Sequence, residues 1–65
     1  MAPVQETLLT VIEAAERLGV GRTLLYTLME RGELPFVKIG RTRRLRPIHL
    51  DELIRRNTIG ADRES

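Results

Sequence analysis

Three residues, Gly19-Val20-Gly21, separate two stretches that each carry helical spacing. So short a join forces the two helices to meet at a corner. The first stretch opens with Thr10 and, three residues on, Glu13. That is a capping-box signature, in which each side chain satisfies the other's backbone N–H. Val11, Ala14, Ala15 and Leu18 then follow helical spacing, and Gly19 ends the pattern because glycine takes the left-handed conformation at little cost. The spacing predicts a short helix over about residues 11–18. A second runs from about Arg22 to Arg31, and Gly32 ends it in the same way. At about 100° per residue, Leu24, Leu25, Leu28 and Met29 share one side of this second helix. Thr23, Tyr26, Thr27, Glu30 and Arg31 lie on the other, so one face packs and one is free.

After Gly32 the period changes. Pro35 opens PFVKI, in which Val37 and Ile39 alternate with Phe36 and Lys38. Gly40 marks a turn and RRLR follows, which reads as a β-hairpin. Leu45 is the apolar residue of the return strand and is predicted to face the core, flanked by arginines. Pro47 suits the first turn of a third helix, where its missing N–H costs nothing. Leu50, Leu53 and Ile54 supply its core stripe, with Ile48 added. Arg55 and Arg56 sit favourably near its C-terminal end. Residues 1–7 and 58–65 have few anchors and read as loose ends around one domain, residues 8–57. The order helix, tight turn, helix, hairpin, helix is mainly α with a small β-hairpin: a winged helix-turn-helix.

Composition narrows the function. A chain of 65 residues buries only about 60% of its unfolded surface, which leaves little room for a deep catalytic pocket. There is no Cys, and a single His, His49, builds no zinc site without several converging carboxylates. His49 reads as a surface residue near the start of the third helix. No catalytic residue, metal or cofactor is expected. No apolar run approaches the roughly 18–20 residues of a membrane span. The start, MAPVQETLL, lacks the features of a signal peptide, so a cytoplasmic location is expected.

The net charge is only +2, but it is unevenly spread. Residues 1–21 carry Glu6, Glu13 and Glu16 against Arg17. In VKIGRTRRLR, residues 37–46, Lys38, Arg41, Arg43, Arg44 and Arg46 occur with no acid between them. A local positive field points to a partner surface. A charged edge strand that merely blocks sheet aggregation would account for one or two of these cations more easily than for five.

The spans LT–EAAERLGV, Tyr26, RGELP and VKIGR, followed by the helix seed LDELI, carry a family resemblance. Their joint order and spacing, from Leu8 to Ile54, resemble the small excisionase-type winged-helix proteins, related in fold to the DNA-binding domains of MerR-like regulators. Three positions depart from that pattern. Gly21 stands where Ser or Thr often caps the second helix, and it is a weaker cap. Arg43 stands where the return strand often carries an aromatic, which replaces packing by charge. Pro47 takes up, one position later, the role of a proline usual where Arg46 stands.

In a helix-turn-helix reader the second helix enters the major groove and its N-terminal residues meet base edges. Here it offers Arg22, Thr23, Tyr26 and Thr27. Arg22 suits a bidentate bond to guanine, and the threonines suit a phosphate or a thymine methyl. Tyr26 suits a backbone contact through its hydroxyl, or simply a half-buried aromatic edge. Glu30 and Arg31 read as a solvated pair. Lys38, Arg41, Arg43 and Arg44 fit a wing lying on phosphates, with Arg41 and Arg43 nearest the tip. Arg46 reads as solvating the start of the third helix.

The resemblance implies an accessory factor of site-specific recombination that binds and bends double-stranded DNA near attachment sites. It also implies a tyrosine or serine integrase as partner, self-association on adjacent DNA sites, and a nucleoid-associated location. A small transcriptional regulator with the same fold is the alternative. The lack of a long dimerisation helix after residue 57 favours the accessory factor. A protein-binding module with a basic hairpin is a further reading. RNA binding is disfavoured, because Tyr26 and Phe36 are the only aromatics.

Overall fold

The computed structural model describes residues 6–60. Six elements follow one another: β1 (Leu9–Thr10), α1 (Val11–Leu18), α2 (Arg22–Glu30), β2 (Val37–Ile39), β3 (Thr42–Leu45) and α3 (Pro47–Arg56). This is a winged helix-turn-helix, with the β2–β3 hairpin as the wing.

Local chemistry sets the helix ends. The Thr10 hydroxyl accepts from the Glu13 N–H at 3.0 Å, and the Glu13 carboxylate accepts from the Thr10 N–H at 2.9 Å. The predicted capping box is therefore complete. At the other end Gly19 adopts φ 71°. Its N–H donates to the Glu16 carbonyl, and the Val20 N–H donates to the Ala15 carbonyl at 3.0 Å. Those two bonds close the helix and turn the chain. The same pair of bonds recurs after α2, from Gly32 to Met29 and from Glu33 to Leu28. Gly21 precedes α2 with no side-chain cap, and Pro47 opens α3.

The sheet is larger than the hairpin predicted from sequence. Strand order is β1-β3-β2, all antiparallel, with Leu9 opposite Leu45 and Thr10 opposite Arg44. In the wing, Val37, Lys38 and Ile39 stand opposite Arg44, Arg43 and Thr42. Gly40 and Arg41 form a two-residue tip, with Gly40 at φ 63°. A positive φ at the first loop position lets the turn twist with its strands.

The core is Val11, Ala14 and Ala15 of α1, Leu25 and Met29 of α2, Leu34 of the connecting loop, Leu45 of β3, and Leu50 and Leu53 of α3. Leu45 faces inward as predicted, completely covered. Ala14 is completely covered too, and its single methyl group lets α2 approach α1 closely. Three residues assigned to packing faces prove exposed: Leu24 at 47%, Ile48 at 47% and Ile54 at 50%. Leu24 and Ile54 instead line an open apolar groove with Leu18, Val20 and Leu28. Three short helices have one common interior, and these side chains lie at its rim.

Polar contacts fasten the ends of elements. Arg56 donates to the Glu33 carbonyl at 2.8 Å, joining the end of α3 to the loop after α2. Arg46 forks onto both carboxylate oxygens of Glu6, at 2.9 and 3.1 Å. Glu6, placed by the sequence reading in a loose end, is thus held. At the far end Thr58 donates to the Ile54 carbonyl, and Ile59 is 97% exposed. The remainder of the predicted loose ends, residues 1–5 and 61–65, lies outside the described residues.

Candidate nucleic-acid interface

The free face of α2 is open along its length. Arg22, Thr23, Tyr26 and Thr27 are all exposed, Tyr26 to 44%. Thr27 directs its hydroxyl proton to the Thr23 carbonyl at 3.0 Å. Among the described residues, neither α3 nor the segment after it covers this face.

The wing stands beside it. A cleft of about 360 Å³ separates the two and is lined by Thr10, Val11, Ile12, Arg22, Tyr26 and residues 41–44. The fold therefore brings Arg22, Tyr26, Arg41, Arg43 and Arg44 together around one concavity. Thr23 and Thr27 lie outside it on α2, and Lys38 lies outside it on the wing's edge strand. Thr10, Ile12 and Thr42 also line the cleft and were missed from sequence. For Thr10 and Ile12 the signal was weak, because they join the site only when β1 pairs with β3 and carries the start of α1 alongside, whereas Thr42 is an uncharged residue of the wing strand itself.

The five cations of residues 37–46 are not equivalent. Arg46 is paired with Glu6. Arg43 is paired with Glu30 at 3.2 Å, and its guanidinium carbon lies 4.6 Å from the Phe36 ring centre and 5.4 Å from that of Tyr26. Among the described residues, no carboxylate pairs with Arg22, Lys38, Arg41 or Arg44. Arg44 donates one N–H to the Arg43 carbonyl at 3.0 Å, which keeps its side chain near the strand. Glu30 and Arg31, read from sequence as a pair, choose different partners: Glu30 takes Arg43, and Arg31 takes Glu33 at 2.8 Å.

No group of three or more metal-ligating side chains occurs among the described residues, and His49 is half-buried in the first turn of α3. No helix among them is long and apolar enough to cross a membrane.

A helix-turn-helix with its second helix free, flanked by a cationic two-stranded wing, defines a winged helix-turn-helix protein. The profile of the family described as "Helix-turn-helix domain" matches residues 8–58, and the chain belongs to that family. Among curated proteins, a "Probable excisionase" from Saccharopolyspora erythraea is 51% identical over 45 residues, covering 69% of this chain and 46% of that protein. The chain spans about half the length of that relative. No solved structure matches it significantly.

Proposed function

We propose that this protein binds double-stranded DNA through the cleft between α2 and the wing, and acts as an excisionase. One observation carries the reading: Arg22, Arg41 and Arg44, with no carboxylate partner among the described residues, line a single concavity beside an open helix. Unpaired cations beside an exposed helix suit a polyanion with a groove. The relative's description as a probable excisionase supports the biological role.

In this reading α2 lies in the major groove. Arg22 meets guanine O6 and N7. Thr23 meets a phosphate or a base edge, and Tyr26 gives its hydroxyl to the backbone. Thr27, whose proton is committed to Thr23, presents its methyl group to a thymine. The wing lies on the adjacent phosphates through Lys38, Arg41 and Arg44. The protein bends the DNA near attachment sites, alongside adjacent copies, and directs a tyrosine or serine integrase towards excision. It performs no bond-making step itself, and it resides with the nucleoid in the cytoplasm.

The test is fluorescence anisotropy with a labelled attachment-region duplex and an unrelated duplex, across a range of salt. Each neutralised phosphate contributes about −0.9 to the log–log slope, so three or four contacts give a slope of roughly −3 to −4. A flat salt dependence would overturn DNA binding, and equal affinity for both duplexes would overturn selectivity. Addition of the protein to an integrase reaction on paired attachment sites should raise excision, and no rise overturns the excisionase role.

A further inference from the structure

Arg43 lies on the core side of β3, two residues before the fully buried Leu45, and only 25% of its side chain is exposed. Both terminal nitrogens turn towards α2. One bonds the Glu30 carboxylate at 3.2 Å, and the other approaches the Met29 sulfur at 4.0 Å. The guanidinium also lies within cation–π range of Phe36, from the loop before β2, and of Tyr26, from α2. One side chain therefore touches α2 at three residues and reaches the approach to β2, while standing on β3.

We propose that Arg43 is a positioning residue. It sets the wing against α2 and holds the Tyr26 ring, and it makes no phosphate contact of its own. The proposal rests on the DNA-binding reading above. To reach a phosphate, the guanidinium would have to leave both rings and its carboxylate. It would also strand Glu30, on the same side of α2 as Tyr26, as an uncompensated negative charge facing the polyanion. Paired, Glu30 and Arg43 present a neutral unit at that edge. A planar cation over two aromatic rings does the packing work of an aromatic side chain, which an ammonium on a flexible stem does not reproduce.

The discriminating measurement is the salt slope of duplex binding for four variants. Arg41→Ala and Arg44→Ala should each reduce the slope by about 0.9. Arg43→Lys keeps the charge but not the plane, so it should weaken binding several-fold with the slope unchanged. The double variant Arg43→Phe with Glu30→Gln keeps the net charge and restores a flat partner for Phe36 and Tyr26. It should retain affinity within about threefold and the full slope. The chain has one Tyr and no Trp, so tyrosine fluorescence reports Tyr26 alone. Its emission should change in Arg43→Lys and not in Arg41→Ala. Wild-type affinity in Arg43→Lys, or a slope reduced by about 0.9 in the double variant, would overturn the proposal. An unchanged slope in both Arg41→Ala and Arg44→Ala would instead count against the DNA-binding reading itself.

Discussion

Thr10 stands opposite Arg44 in the ladder between β1 and β3, and its hydroxyl caps α1 in the same place. One residue thus couples the wing's inner strand to the start of the first helix, and both border the cleft.

Thr10→Ala removes the cap acceptor and leaves the Glu13 N–H without it. The expected loss is about 1 kcal/mol of stability, read as a lower urea midpoint with an unchanged m-value. Thr10→Ser keeps the acceptor and should restore most of the midpoint.

Ala14 has no exposed surface where α1 meets the core. Ala14→Leu adds three carbons to a filled site and should cost about 1–3 kcal/mol by overpacking. Leu25→Ala, at an equally covered position, should cost about 2–5 kcal/mol through the cavity it leaves. Thermal unfolding of both variants checks the pair.

At the wing tip, Gly40 has φ 63°. A Cβ there meets nothing within 4 Å, so the strain of Gly40→Ala is conformational and not steric crowding by neighbours. The backbone cost is about 1–2 kcal/mol. The tip should re-form with Arg41 displaced, giving a larger loss in duplex affinity than in melting temperature.

Arg46 belongs to the basic run by sequence but is committed to Glu6. Both partners are partly exposed, so Arg46→Ala should cost at most about 1 kcal/mol of stability. It should leave the salt slope of duplex binding where it was, in contrast to Arg41→Ala. A slope change equal to that of Arg41→Ala would show that Arg46 reaches a phosphate.

Arg22→Ala should cost about 1–3 kcal/mol on the preferred duplex and little on an unrelated one, measured by competition titration. Equal losses on both would make Arg22 a phosphate contact.

The boundaries of the helices were legible because their causes are local. Thr10 with Glu13, Gly19, Gly32 and Pro47 act within one turn of the residues they stop or start, and spacing alone identifies them. The hairpin turn at Gly40 and the inward Leu45 follow from period-two alternation in the same way, whereas the two-residue length of the tip emerges only from the strand register. The gathering of cations in residues 37–46 was equally plain.

What spacing could not supply was anything that joins residues distant in the chain. Strand β1 is two residues long and exists only by pairing Leu9 with Leu45. Leu34 carries no periodic signal, yet it is buried because the turn after α2 points it inward. Above all, composition made Lys38, Arg41, Arg43, Arg44 and Arg46 alike, whereas folding divides them. Glu6, from the segment before β1, and Glu30, from α2, neutralise two, and three keep their charge for a partner. A side chain's local preferences are written in its neighbours along the chain, but the company its charge keeps depends on which surfaces packing brings into reach.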